Sequence, residues 1–184
     1  MHTGGESKAD ERKIAYRAAK FNVERCAFEA GGTAHVWDLI RHPGAAAILP
    51  VLADGRLVLI RNRRIAIGEC LLEVPAGTLD DGEPPERCAA RELAEETGYR
   101  AGKLTPLLAC YSSPGIMDER MYGFLATDLT PGPTAHESGE QIEVVQMPLD
   151  EALDGIRTGT ITDGKTIVTL LYYERFVRGV EAST

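Results

Sequence analysis

Positions 77 to 98 leave the chain little structural choice. They hold Gly77, then Glu83, then the run Arg91-Glu92-Leu93-Ala94-Glu95-Glu96-Thr97-Gly98. Residues 86–96 are rich in helix formers, with Ala89 to Glu95 in unbroken succession. Pro84 and Pro85 suit a helix entry, where a missing N–H loses no bond. Gly98 suits a left-handed stop. The predicted helix puts Glu92 and Glu96 at i and i+4, so both carboxylates project from one face and Glu95 borders it. Ala90 and Leu93 are expected to face a sheet. Chance would produce these identities at one start point with odds on the order of 10⁻⁸, at roughly 7 % usage per residue type.

Like charges at this spacing repel by a few tenths of a kcal/mol per pair. A divalent cation reverses that sign. Magnesium takes oxygen ligands, often one or two carboxylates with water and substrate phosphate. Such an ion neutralises a diphosphate, positions an attacking water and stabilises the leaving oxygen. The chain carries 20 Lys+Arg against 28 Asp+Glu, a formal net charge of −8, so an anionic substrate is repelled unless a cation intervenes. The bland alternative is a solvated acidic face paired to Arg87 or Arg91. It does not account for the spacing of Gly77, Glu83, Arg91 and Gly98. Arg91 reads as a member of the catalytic set that pairs with the carboxylates and holds their rotamers.

A chain of 184 residues with 43 % hydrophobic content suits one domain with a real core. No apolar run approaches the length of a membrane-spanning helix. Residues 1–11 are polar, lack a secretory apolar stretch and read as a disordered leader. These features give the expectation of a cytoplasmic protein with no membrane partner. Cys26, Cys70, Cys88 and Cys110 form no CxxC pair, which argues against zinc and for reduced core thiols. No basic run with interleaved aromatics suggests nucleic acid.

Along the chain, strands are predicted near 13–17, 20–29 and 33–41, with Pro43-Gly44 as a break. Residues 45–52 and 57–61 flank Asp54-Gly55 and are expected to pair as a hairpin. A basic loop follows (Arg61, Arg63, Arg64), then a strand over 71–74. Strands are predicted at 104–112, 120–128 and 143–147, and helices at 149–157 and about 164–178. The last shows an apolar stripe of Ile167, Leu170, Leu171 and Phe176. This order suggests an α+β fold with a mixed sheet and helices on its faces.

The pattern from Gly77 to Gly98 resembles the Nudix box of hydrolases that cleave a nucleoside diphosphate linked to another group. The resemblance implies an α/β/α sandwich with a mixed sheet. The expected layout is an N-terminal antiparallel strand region over 12–42 and a hydrolase domain over 43–180. Further segments resemble the ADP-ribose pyrophosphatase subgroup. They are Leu72-Glu73-Val74-Pro75-Ala76-Gly77, Ser113-Pro114-Gly115, Glu140-Gln141-Ile142-Glu143-Val144, and Gly159 to Thr166, with Pro114 sixteen positions after Gly98. In that subgroup the N-terminal strands help build a homodimer and line the partner's substrate site.

The resemblance implies hydrolysis of ADP-ribose to AMP and ribose 5-phosphate with two or three Mg²⁺ ions, Mn²⁺ being an alternative. Ala76 would offer its backbone carbonyl to one ion. Glu92 and Glu96 would bind the metals, Glu95 would assist, and Glu140 would bind a further ion or orient the water. Many relatives have an acidic residue two positions before Glu140, where this chain has Ser138, a poor base. The base is therefore Glu140, the neighbouring Glu137, or the metal's own water. Arg64 resembles the diphosphate-binding arginine, whose fork donates paired bonds. Glu73 either contacts the nucleoside or orients Arg64. Pro114 and Gly115 shape a loop beside the substrate, and Glu119 faces the terminal ribose or solvent. Trp37 and Phe28 stack on adenine from the partner subunit or lie in the core. Two other functions remain open. One is a diphosphatase for another nucleotide sugar such as GDP-mannose. The other is a catalytically silent sensor, which would usually have lost box glutamates that are all present here.

Overall fold

The computed structural model describes residues 11–135 and 141–178. Strands β1 (Glu11–Arg17), β2 (Asn22–Ala30) and β3 (Thr33–Arg41) form an antiparallel sheet in that order. Next come β4 (Ala45–Pro50), β5 (Leu57–Arg64), β6 (Glu69–Glu73) and β7 (Ala76–Thr78), followed by helix α1 (Pro85–Thr97). Then follow β8 (Tyr99–Tyr111), β9 (Arg120–Pro131), β10 (Ile142–Met147), α2 (Leu149–Thr158) and α3 (Gly164–Tyr173). A short π-helical segment, Glu174–Arg178, extends α3.

The central sheet is mixed, in the order β7-β4-β9-β8, with β4 parallel to β9. A second antiparallel sheet runs β10-β5-β6. Strand β4 explains the layering. Its alternate residues Ala46 and Ile48 pack with Cys88, Ala89 and Leu93 of α1. Ala47 and Leu49 pack on the other face with Leu149, Ala152, Ile161 and Leu170 of the α2–α3 layer. A strand buried on both faces reads as a continuous apolar run, and β4 is Ala-Ala-Ala-Ile-Leu-Pro. The result is the expected sandwich of helix, sheet and helix. No helix among the described residues is long and apolar enough to cross a membrane.

Several expectations need correction. The Asp54-Gly55 turn forms, but β4 and β5 share only the bridge Val51↔Leu57 and then diverge into different sheets. Each finds better burial elsewhere, β4 beside β9 and β5 between β10 and β6. The supposed basic loop is the end of β5, where Arg61, Arg63 and Arg64 pair with β6. On α1 it is Ala89, not Ala90, that joins Leu93 against the sheet. Leu171 and Phe176 are exposed; of the expected stripe Leu170 is buried and Ile167 packs half-buried against the core, and Thr166 and Thr169 complete the buried face of α3. Cys26 and Cys88 are buried thiols as expected, whereas Cys70 is exposed.

Gly98 closes α1 in the left-handed region at φ 75°, its N–H donating to Ala94 O. A Cβ there would also sit 2.5 Å from the carbonyl oxygen of Gly132. Gly98→Ala is therefore expected to destabilise the protein by about 1–3 kcal/mol, measured as a lower denaturant midpoint at unchanged slope.

Candidate active site

One cavity of about 750 Å³ gathers residues far apart in sequence. Its lining includes Arg64, Ala76, Gly77, Arg91, Glu92, Glu95, Glu96, Glu119 and Lys165. Helix α1 supplies the acidic wall, held against β7 by two close contacts. Ala76 donates its N–H to Glu96 Oε2 at 2.8 Å. A Cβ on Gly77 would lie 1.8 Å from Glu92 Oε1, so only glycine leaves room for that carboxylate.

Arg91 organises the acidic wall, as the sequence suggested. Its Nη1 donates to Glu92 Oε1 at 2.6 Å and to Glu95 Oε2 at 3.2 Å. Its Nε and Nη2 fork onto Glu83 at 3.1 and 2.9 Å. Glu83 also accepts from the Asp80 amide at 3.0 Å. The Arg91 hydrogen bond is the main reason the Glu83 carboxyl falls to about 2, and the Glu83 contact in turn raises the Arg91 guanidinium. Burial pushes the neighbouring Cys88 thiol up to about 12, which leaves it inert.

The cationic wall rests on Glu73, whose side chain is fully buried at the end of β6. Arg64 grips it with Nε (2.8 Å) and Nη2, and Lys165 Nζ donates to the same carboxylate. The hydrogen bond from Arg64 to Glu73 is the leading cause of the raised Arg64 guanidinium. Lys165 also pairs with Asp163 Oδ1 at 2.9 Å. Asp163 caps α3 by accepting the Thr166 N–H at 2.9 Å. Thr166 Oγ1 donates to Asp163 and accepts from the buried Val74 N–H. The segment Thr162 to Thr166 thus ties α3 to the strand that leads into Ala76 and Gly77.

The expected residues separate into groups. Arg64, Ala76, Arg91, Glu92, Glu95, Glu96 and Glu119 meet at the cavity. Glu73 lies beneath Arg64 and Lys165 rather than on the wall, which excludes direct contact with a nucleoside in this arrangement. Pro114 and Gly115 sit at an exposed loop tip closed by Ser112 N–H to Glu119 O at 3.2 Å. Phe28 and Trp37 touch edge-to-face at 5.1 Å on the N-terminal sheet; Trp37 is exposed and Phe28 half-buried, so neither belongs to the core. Neither lines the cavity. The aromatic that does is Phe21, in the β1–β2 turn. Glu137 and Glu140 lie outside the described residues. The sequence reading missed Lys165, Arg41, His42 and Asn62, which also line the cavity. Of these only Lys165 carried a signal, its place in the segment Gly159 to Thr166.

Among the described residues, no three His, Cys, Asp or Glu side chains form a ready metal cage. Arg91 spans Glu92 and Glu95, and Glu96 is turned toward the Ala76 amide. The donor chemistry nevertheless fits a hard divalent cation. Helix α1 alone brings three carboxylates to the cavity, and magnesium needs only one or two beside water and phosphate.

A family model for the NUDIX domain matches residues 41–168. The chain is 38 % identical over 145 residues to the ADP-ribose pyrophosphatase of Bacillus subtilis, spanning 78 % of each. It is 31 % identical over 166 residues to the methanol dehydrogenase activator of Bacillus methanolicus, spanning 89 % of each. It is 38 % identical over 150 residues to the GDP-mannose pyrophosphatase of Cronobacter sakazakii, spanning 76 % of each. The crystal structure of an ADP compounds hydrolase superposes with a TM-score of 0.81 over 96 % of this chain and 98 % of its own, at 24 % identity, a likeness of fold.

A carboxyl depressed in the folded state contributes stability above its unfolded value and loses it as pH falls. For Glu83 that window runs from about pH 4.5 down to about pH 2. Wild type is expected to lose stability across this window more steeply than Glu83→Gln, measured as thermal midpoints at stepped pH.

Proposed function

The chain belongs to the Nudix family, and on that premise we propose that it hydrolyses the diphosphate of ADP-ribose or a related ADP-sugar to AMP and a sugar phosphate. The observation that carries this reading is one cavity holding both an oxygen-donor wall (Glu92, Glu95, Glu96) and a cationic pair (Arg64, Lys165). A diphosphate with its counter-cations needs both. In the overall reaction the oxygen of water bonds to one phosphorus, the bridging P–O bond breaks, and the bridging oxygen leaves with the other phosphate.

Divalent cations, Mg²⁺ or Mn²⁺ and two or three in number, supply charge neutralisation and activate the attacking water when bound. Glu92 and Glu96 would hold them, with Glu95, Glu140 and the Ala76 carbonyl completing the set. Gly77 and the Ala76 amide keep the first two carboxylates oriented. Arg91 spreads its charge over Glu83, Glu92 and Glu95 and so limits their mutual repulsion before cations arrive. Glu73 engages one edge of the Arg64 guanidinium and leaves Nη1 for phosphate oxygens. Glu140, or Glu137, would take the proton of the attacking water. Glu119 accepts from sugar hydroxyls, while Pro114 and Gly115 shape its loop.

The GDP-mannose pyrophosphatase at 38 % identity keeps the base and sugar open to test. A panel of ADP-ribose, ADP-hexoses and GDP-mannose, assayed with magnesium and product identification, should show the ADP compounds hydrolysed fastest. No turnover with magnesium or manganese, together with tight binding, would instead favour the sensor. Glu96→Gln is expected to lower kcat by about two orders of magnitude or more. Its amide oxygen still accepts the Ala76 N–H, so the thermal midpoint should change little; near-normal turnover at saturating magnesium would overturn the assignment.

The N-terminal strand region is proposed as the dimer interface. It presents Tyr16, Val36 and Trp37 largely exposed, an unusual load of apolar surface for a sheet of three strands. In such a dimer Trp37 or Phe28 could reach the adenine of the partner's site. The four free thiols suit a reducing, cytoplasmic setting. Light scattering at micromolar concentration should report twice the chain mass of 19.9 kDa, and a monomer would refute the interface.

A further inference from the structure

We propose that Asp118 is a positioning residue for substrate binding, joining the N-terminal sheet to the wall of the active-site cavity that carries Glu119. The proposal rests on the nucleotide-sugar hydrolase reading above.

The geometry is that of a two-sided clamp. Asp118 Oδ1 accepts the backbone N–H of His42 at 2.9 Å, and Oδ2 accepts Arg41 Nη1. Arg41 continues the chain of contacts outward, its Nε donating to Glu24 Oε2 on β2 at 2.8 Å. The backbone joins in. Ile40 donates its N–H to Ile116 O at 2.9 Å, and Asp118 donates its own to Ile40 O at 3.2 Å. The end of β3 therefore pairs with the loop before β9 in a short parallel bridge, Ile40↔Met117. Gly44 completes the fit, since a Cβ there would come within 3.1 Å of Arg120 O.

What the clamp holds is part of the cavity. Arg41, His42 and Glu119 all line it, together with the β1–β2 turn that carries Phe21. His42 Nδ1 accepts the Gly44 N–H at 3.1 Å and lies 3.6 Å from Glu119 Oε1. A nitrogen used as an acceptor has no hydrogen to give that carboxylate. The acceptor capacity of Glu119 is thus not spent on His42, and Glu119 also lines an adjoining cavity of about 400 Å³ shared with Lys165. Among the described residues, the hydrogen bonds of Asp118, Arg41 and the His42 side chain run to the N-terminal sheet, Gly44 and the loop before β9, and not to α1, β7 or Arg64, where the diphosphate chemistry is placed. Asp118 and Arg41 are each more than a third exposed, and ion pairs this exposed add little stability. Their use is to set the distance between two walls that belong to separate sheets.

The clamp therefore acts on how the substrate is held rather than on bond cleavage. In ADP-ribose hydrolysis with saturating magnesium, Asp118→Ala is expected to raise KM about tenfold with kcat within about twofold, the signature of lost uniform binding. Asp118→Asn keeps one oxygen for the His42 amide but turns an NH2 toward Arg41, and should recover part of the loss. Unchanged KM in Asp118→Ala would overturn the proposal. So would a joint fall of kcat and thermal midpoint that Asp118→Asn fails to restore, because that marks a merely structural carboxylate. A wild-type protein that turns over no nucleotide sugar would instead sink the functional reading, and this inference with it.

Discussion

The active site depends on how closely α1 approaches β7. Two contacts set that distance, the Ala76 amide on Glu96 and the Glu92 carboxylate over the bare Cα of Gly77. Glu96 is almost fully buried, so its charge must be answered by donors rather than water. A strand amide supplies one of them and points the carboxylate in a single direction. Leu93, Cys88 and Ala89 on the opposite side of α1 are buried against Ala46 and Ile48. Apolar packing therefore presses the acidic face toward the cavity, and the backbone of β7 limits how far it can go. Arg91 keeps the crowded carboxylates tolerable without consuming Glu96.

A second buried charge supports the other wall. An isolated carboxylate with the burial of Glu73 would cost several kcal/mol, and removal of one partner from such a group is strongly unfavourable. Glu73 persists because Arg64 and Lys165 both reach it, and because Thr166 and Asp163 hold the end of α3 beside it. Apolar residues could fill that volume more cheaply. The arrangement makes sense as orientation, since a guanidinium gripped along one edge presents the other in a known plane. The same segment that orients Arg64 leads through Pro75 into Ala76 and Gly77, so the two walls share one strand connection.

Much of this was legible from local pattern. The helix over 86–96, its glycine stop and the clustered Glu92, Glu95 and Glu96 follow from propensity and spacing, and the structure extends the helix by one residue at each end. Strand positions were readable, but partners were not. Asp54-Gly55 signals a turn and says nothing of β9, which lies far along the chain and claims the side of β4 as a parallel neighbour. Lys165 is a single lysine near a helix start, and its partner Glu73 lies 92 positions away, a contact no local period encodes. Glu73 itself carried a hint, an acid between Leu72 and Val74 in an apolar run. The exposure of Trp37 shows the limit of composition, because an aromatic on a strand looks the same whether its sheet is covered or bare.

Charge explains why the site needs help from outside the chain. Five Lys or Arg and six Asp or Glu side chains line the cavity, near neutrality against −8 for the whole protein. Concentrating basic residues there softens the repulsion an anion meets on approach, but the described lining still carries a formal charge of −1. Adding Glu73 and Asp163, the partners of Arg64 and Lys165, lowers that to −3, so one divalent cation leaves −1 and a second turns it to +1. The sign of the cavity toward a diphosphate thus turns on cation occupancy. Arg64 and Lys165 cannot supply the difference, because Glu73 and Asp163 already neutralise them. Their contribution is directional, and under the proposed function the net attraction for a diphosphate would arrive with divalent cations.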